Sequence, residues 1–322
     1  MKKTIALVAA ALMLALCVFS FAGCSGGTSK EDGTYTIGIC QLAEHPALDQ
    51  ATEGFKAYLT EKLGDKVVFE EQNAQGEQTN CTTIVNKFVS SGVDLIMANA
   101  TNAVKAAREA TSEIPIVGTS VTDYAASGLV ESNDAPGANV TGASDMNPVD
   151  VQVKLMGELL PDVKTVGIVY CSAEENSKLQ ADEAKTAFEK AGYTVNIYTV
   201  ADSNEIQTVV SKACGEVDAF YEPTDNLIAS NAPTMSNVTT PAKKPVLTGE
   251  ESMCKNGFLA TYSVSYYDLG YKAGEMAYDI LVNGKTPAEM PIFRFDSDSL
   301  TLVINEDNAS ELGITIPDSL KK

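Results

Sequence analysis

The chain has 322 residues, of which 44% are hydrophobic, and its 43 acidic and 23 basic residues give a formal net charge of −20. Nucleic acid is excluded as an expected partner, because phosphate binding needs a basic face. With one histidine the chain has no H-E-x-x-H zinc motif, and it also lacks a G-x-S-x-G elbow and a complete P-loop. We therefore expect no catalytic residue, no metal and no cofactor.

The amino terminus has the pattern of a bacterial export signal. Two lysines precede an uncharged apolar stretch, and two small residues stand directly before Cys24. This arrangement is typical of lipoprotein processing, so we expect a signal peptide over residues 1–23 and a lipid on Cys24. The alternative is an ordinary secretory signal that is cut near Ala22. Residues 24–34 are small and polar and predict a flexible tether. The export signal and the lipid together place the protein outside the cytoplasm, with the lipid as its only contact with the membrane.

Strand-like and helix-like segments then alternate twice along the chain. The first series predicts strands at 35–40, 67–70, 94–98 and 115–119 and helices at 47–63, 79–90 and 102–110. The second predicts strands at 164–170, 194–198, 217–221 and 245–248 and helices at 174–191, 204–213 and 225–238. A helix at 266–281 and a strand at 300–304 follow.

The two series also agree in sequence, since Ile37-Gly38-Ile39 corresponds to Val166-Gly167-Ile168. Two similar β/α units predict an α/β fold with two doubly wound, parallel-sheet lobes. In such sheets ligands lie beyond the carboxyl ends of the strands, so two facing lobes would share one ligand in a cleft. The cysteines beyond Cys24 are odd in number and have no paired spacing, so they predict no disulfide framework. Burial as small hydrophobic residues is favoured, and unpaired thiols in a reducing habitat are the alternative. These cysteines are Cys40, Cys81, Cys171, Cys214 and Cys254.

Five segments are the most specific in the chain: residues 41–49 (QLAEHPALD), 72–76 (QNAQG), 140–146 (VTGASDM), 223–226 (PTDN) and 249–251 (GEE). On these segments the chain resembles the ABC transporter substrate-binding lipoproteins of the tryptophan/tyrosine type, over residues 35–320. The resemblance implies a type I periplasmic-binding-protein architecture, in which three crossings form the hinge. From the strand pattern we place these near residues 120–122, Tyr262 and Phe293. Lobe 1 would then contain residues 35–121 and 263–293, and lobe 2 residues 122–262 and 294–322.

The resemblance also implies a function. The protein would be a monomer that captures a small molecule, an aromatic amino acid (Trp, Tyr or Phe), for an ABC permease and its ATPase. Another small solute (a purine, another amino acid or a sugar), a ligand-sensing module and, least favoured, an α/β enzyme are the alternatives. The absence of tryptophan from the sequence disfavours a sugar, because sugar binders commonly stack tryptophan on the sugar ring.

The candidate ligand-binding residues follow the predicted strand ends or lie in the five segments. They are Gln41, Glu44, His45, Asn73, Ala100, Thr101, Thr119, Ser120, Ser144, Asp145, Ser172, Asn176, Ser177, Pro223, Thr224, Asp225, Asn226 and Glu250.

Four of these predictions have a structural alternative. Asp225 is the expected acceptor for a ligand ammonium group, and a helix N-cap is its alternative. Ser172, Asn176 and Ser177 are expected to donate to a ligand carboxylate, or to form a solvated loop. His45 would stack or hydrogen-bond in the cleft, or have a structural role beside Pro46. Asn73 would contact ligand or stabilise a turn.

Overall fold

The structure, a computed structural model, describes residues 33–321. The predicted signal peptide, Cys24 and the tether up to residue 32 lie outside the described residues. Among the residues that are described, no helix combines the length and apolarity that crossing a membrane requires.

The first lobe is a parallel six-stranded sheet with helices on both faces. Its strands are β1 (Tyr35–Gln41), β2 (Val67–Asn73), β3 (Leu95–Asn99), β4 (Ile116–Val121), β5 (Val140–Ser144) and β11 (Phe293–Arg294), in the order β11-β5-β4-β3-β1-β2. One face packs against α1 (Pro46–Leu63) and α10 (Tyr266–Leu281), and the other against α2 (Gln78–Ser91) and α3 (Thr101–Ala110).

The second lobe repeats this arrangement. Its strands are β6 (Thr165–Cys171), β7 (Thr194–Val200), β8 (Ala219–Glu222), β9 (Val246–Thr248), β10 (Ala260–Ser263) and β12 (Thr301–Ile304), in the order β12-β10-β9-β8-β6-β7. Only β12 is antiparallel to its neighbour. One face packs against α4 (Val149–Leu159), α5 (Glu175–Lys190) and α11 (Glu306–Leu312), and the other against α6 (Ser203–Ala213), α7 (Asn226–Ser230), α8 (Ala232–Thr239) and α9 (Glu251–Lys255). The predicted fold class is confirmed.

The glycine shared by the two repeated strand sequences has a packing reason. A Cβ on Gly38 would lie 2.6 Å from the ring of Phe88, and one on Gly167 would lie 2.8 Å from the ring of Phe220. Both rings are fully buried. Glycine therefore lets a core aromatic side chain lie against the first strand of each lobe.

The expected first crossing at residues 120–122 is wrong. Strand β5 pairs with β4, so residues 122–144 stay with the first lobe and the chain crosses at residues 145–148. The sequence did not predict this strand, because it consists mainly of small residues and follows a segment without regular structure. The chain crosses again between β10 and α10 and a third time between β11 and β12.

Two smaller expectations can be compared with the structure. The helix expected at 225–238 is two helices, α7 and α8, which are separated at Asn231. The five cysteines of the described chain are free, and all except the half-buried Cys214 are buried.

Candidate functional site

A small cavity lies between the lobes, at the carboxyl ends of both sheets. Its lining comes from β4 and α1 in the first lobe, from the loops and helices after β6, β8 and β9 in the second, and from two hinge crossings. The lining residues are His45, Leu48, Ser120, Thr122, Asp145, Asn176, Thr224, Asp225, Asn226, Ala229, Glu250 and Tyr266.

Eight of the candidate residues line this cavity: His45, Ser120, Asp145, Asn176, Thr224, Asp225, Asn226 and Glu250. Ten do not: Gln41, Glu44, Asn73, Ala100, Thr101, Thr119, Ser144, Ser172, Ser177 and Pro223. Several of these make local contacts instead. The amide of Gln41 bonds to Asp49 Oδ1 at 2.6 Å, Asn73 Oδ1 accepts from the backbone N–H of Gln75, and the Ser172 hydroxyl donates to Val200 O.

Asp225 is held by backbone groups. Its Oδ1 accepts from the N–H of Ile228 at 2.8 Å, which caps α7, and its Oδ2 accepts from the N–H of Cys171 at 2.7 Å, which ties α7 to β6. Burial raises the pKa of this carboxyl. The N-cap alternative is therefore present in the structure, and the role in binding an ammonium group stays a prediction.

Glu174 accepts hydrogen bonds from the first two residues of the same helix. It accepts from the N–H of Asn226 at 3.0 Å, from the side-chain amide of Asn226 at 2.6 Å and from the N–H of Leu227 at 2.9 Å. Burial, and then the charge of Asp225, raise its pKa to about 7. Sequence reasoning missed Glu174, whose contacts depend on the approach of the β6 and β8 loops.

Asp145 lies in the first crossing and contacts the residue that directly follows the second. The hydroxyl of Tyr266 donates to Asp145 Oδ2 at 2.7 Å, whereas Oδ1 is buried and has no partner in the part of the chain that the structure describes. Burial raises the pKa of Asp145 to about 6. Tyr266 was not among the predicted residues, although its position directly after a crossing was an available signal.

Glu250 caps α9 from the end of β9. Its carboxylate accepts from the backbone N–H groups of Ser252 and Met253 and from the Ser252 hydroxyl. Burial raises its pKa to about 7. Three carboxyl groups thus line the cavity, and its lining contains neither lysine nor arginine.

His45 links the two lobes at the cavity. Its Nε2 lies 3.2 Å from Asn226 Oδ1, and its Nδ1 is buried without a hydrogen-bond partner among residues 33–321. Burial lowers the pKa of the imidazole to about 4, so the ring is neutral near pH 7. The hydroxyl of Ser120 is likewise buried and unpartnered, on a residue with a left-handed φ of 57°. Such strain outside glycine concentrates at functional sites.

The cavity suits a small solute with a positively charged group and a modest apolar part. Buried carboxyl groups without cationic partners are costly, and a ligand cation offsets that cost. Within residues 33–321 no group of three or more His, Cys, Asp or Glu side chains is arranged to hold a metal ion. The geometry is that of a binding site between two α/β lobes, which is the arrangement of a solute-binding protein.

Comparison with known proteins gives the family. The family model described as ABC transporter substrate binding protein matches residues 36–322, and the chain therefore belongs to that family. Members bind solutes outside the cytoplasm and are not enzymes, as the sequence led us to expect.

Individual relatives are similar over most of their length. The chain is 38% identical over 324 residues to the "Tyrosine-binding protein" of Clostridioides difficile strain R20291, covering 97% of this chain and 92% of that one. An ABC domain from Streptococcus pneumoniae in complex with L-Trp has 38% identity and a TM-score of 0.86, over 89% of this chain and 97% of that one. The ligand-free, open structure of a substrate-binding protein with adhesive properties from Clostridium difficile has 40% identity and a TM-score of 0.68, over 88% of this chain and 97% of that one.

Proposed function

We propose that this protein captures an aromatic amino acid, tyrosine or tryptophan, in the interlobe cleft and delivers it to the permease and ATPase of an ABC importer. The observation that carries the proposal is the cavity between the lobes, whose lining combines three carboxyl groups with the apolar side chains of Leu48 and Ala229 and contains neither lysine nor arginine. Relatives that are named for tyrosine or were crystallised with L-Trp support the same ligand class.

The cavity lining also has an apolar part. Leu48 and Ala229 supply apolar contacts for a side chain. The ligand would therefore be enclosed and desolvated when the lobes close.

In this proposal the ammonium group meets Asp145, because the Oδ1 of this residue is buried and has no partner within residues 33–321. Asp225 and Glu250 add negative charge nearby, although their oxygen atoms already accept backbone hydrogen bonds. The carboxylate of the ligand would accept hydrogen bonds from neutral donors. The hydroxyl of Ser120 is available for this, because it has no partner among the described residues.

The described conformation would be the closed one. Two relatives with nearly equal sequence identity to this chain differ in how closely their structures match it. The TM-score is 0.86 for the L-Trp complex and 0.68 for the open, ligand-free structure. Direct contacts between the lobes, such as that of His45 with Asn226, agree with closure. The ligand would enter when the hinge opens and be trapped when it closes.

We also propose that the mature protein is a lipid-anchored monomer that begins at Cys24. The small residues before this cysteine and the polar tether after it support that proposal. The lipid would keep the binding domain beside its permease.

A thermal-shift screen of amino acids, nucleobases and sugars tests the ligand class. A ligand at 100 times its dissociation constant adds about 2.7 kcal/mol to the stability of the folded state. We expect clear stabilisation by L-tyrosine or L-tryptophan. Stabilisation by a sugar or nucleobase alone would refute the proposal.

A further inference from the structure

The hydrogen-bonding role of each His45 nitrogen follows from its neighbours. The side-chain N–H of Asn226 donates to Glu174 at 2.6 Å, so the Oδ1 of Asn226 faces the imidazole, 3.2 Å from Nε2. An amide oxygen only accepts, so Nε2 must carry the hydrogen. The ring is neutral near pH 7, so its Nδ1 is a bare acceptor.

This acceptor is buried, 6% of His45 being exposed, and no described residue donates a hydrogen bond to Nδ1. A buried acceptor without a donor costs free energy when the lobes close around it. In an open cleft water would satisfy the same atom. Closure is therefore most favourable with a ligand that brings its own donor to Nδ1.

His45 stands close to the apolar residues of the lining. It immediately precedes α1 and lies three residues before Leu48, and its partner Asn226 opens α7 and lies three residues before Ala229, so each is one helical turn from an apolar lining residue. Asp145, by contrast, lies in the first hinge crossing, and Tyr266 directly follows the second. We therefore expect a ligand whose ammonium group meets Asp145 to direct its side chain towards Leu48, Ala229 and His45.

We infer that His45 Nδ1 accepts a hydrogen bond from the ring N–H of an indole or the O–H of a phenol, so that the site selects tryptophan and tyrosine over phenylalanine. The inference rests on the proposed binding of an aromatic amino acid. Phenylalanine fills the same apolar space but leaves Nδ1 unpaired. Sites that hydrogen-bond a substrate N–H or O–H discriminate against the analogue that lacks it. We expect phenylalanine to bind about 10- to 100-fold more weakly than the better of the other two.

Two substitutions separate the roles of the ring nitrogens. In His45→Gln the amide nitrogen reaches the position of Nε2 and keeps a donor for Asn226, but no atom replaces Nδ1. In His45→Asn the amide oxygen stands near the position of Nδ1, and the contact with Asn226 is lost. We expect His45→Gln to bind all three amino acids with similar affinity. His45→Asn should bind each more weakly and still prefer tyrosine or tryptophan.

Calorimetric titration of L-Tyr, L-Trp and L-Phe into the three proteins measures these ratios. Equal affinities in the wild-type protein, or an unchanged preference in His45→Gln, would overturn the inference while leaving aromatic amino-acid binding intact. If none of the three binds to folded wild-type protein, the proposed function fails and the inference fails with it.

Nuclear magnetic resonance gives a second readout, because His45 is the only histidine of the chain. In an untagged, ¹⁵N-labelled protein the Nδ1 signal has no overlap from other imidazoles. We expect its chemical shift to change from that of a bare acceptor to that of a hydrogen-bonded one with tyrosine or tryptophan, but not with phenylalanine. The same shift with all three ligands would contradict the inference.

Discussion

The side-chain amide of Gln180 joins the two lobes, since its Nε2 donates to the hydroxyl of Thr122 at 2.6 Å. Gln180 lies on α5 of the second lobe and Thr122 follows β4 of the first, and both side chains are buried. The same amide group donates to the Thr224 hydroxyl and accepts from the Thr224 N–H. Gln180 therefore holds Thr122 of the first lobe and Thr224 of the second, and both of these residues line the cavity.

We expect Gln180→Ala to weaken ligand binding about tenfold, because the buried hydrogen bond to Thr122 that favours closure is lost and Thr224 loses its two bonds to the same amide group. Calorimetry gives the affinity, and small-angle scattering shows whether the ligand still reduces the radius of gyration. Lys105→Ala is the matched control. It removes an exposed interlobe pair, 2.9 Å between Lys105 and Glu175, which should contribute little. Equal effects of the two substitutions would contradict this role for Gln180.

Asp145→Asn and Asp225→Asn should have opposite effects. In Asp145→Asn one amide oxygen still accepts from Tyr266, but an N–H₂ group faces the ammonium site, so we expect roughly 100-fold weaker binding with little loss of stability. In Asp225→Asn a single oxygen must serve the N–H groups of both Cys171 and Ile228. We expect a loss of about 1–3 kcal/mol in the free energy of unfolding.

Calorimetry and urea denaturation of the two variants separate these outcomes. Wild-type affinity in Asp145→Asn would contradict its assignment as the ammonium acceptor. A large loss of affinity in Asp225→Asn, with unchanged stability, would favour the alternative in which Asp225 holds the ammonium group.

The sequence predicted the two β/α units well, because fully buried parallel strands and their flanking helices have strong local patterns. Seven of the cavity residues were placed by the rule that ligands meet strand ends, and Asp145 came from one of the five specific segments. Thr122 and Glu174 were missed because their contacts form only when separate loops meet, and Tyr266 was missed although it directly follows a crossing. Strand β5 was missed since only Val140 and Thr141 of its five residues are β-branched and the other three are small.

Ligand affinity should depend on the ionisation of His45. Burial lowers the pKa of His45 from 6.5 to about 4 in the closed conformation, and the ring regains an ordinary pKa when the cleft opens. Protonation therefore favours opening. The contribution of neutral His45 to closure is complete above pH 6.5 and is lost as the pH falls from 6.5 to about 4. Over this range the ligand affinity should fall by up to about tenfold for each pH unit.

The buried carboxyl groups also titrate in this range, so the test compares the wild-type protein with His45→Gln. As the pH falls from 7.5 to 4.5, the dissociation constant of the wild-type protein should rise faster than that of His45→Gln. Parallel pH profiles would show that His45 does not contribute.

Cys24→Ser tests the proposed anchor. Loss of the thiol removes the site of lipid attachment, so we expect the protein to leave the membrane fraction and appear in the soluble fraction. Cell fractionation followed by a high-salt wash measures this. Continued membrane association of Cys24→Ser protein after the wash would contradict lipid attachment at this residue.

Fluorescence of L-tryptophan tests the central claim most directly, because the protein itself has no tryptophan. Excitation at the red edge of the indole band then reports on the ligand alone. We predict that adding folded protein shifts the emission of L-tryptophan to shorter wavelength and raises its anisotropy, saturating at one ligand per chain. Excess L-tyrosine should reverse both changes, whereas a sugar should not. Unchanged emission and anisotropy at saturating protein would contradict the capture of an aromatic amino acid in the interlobe cleft.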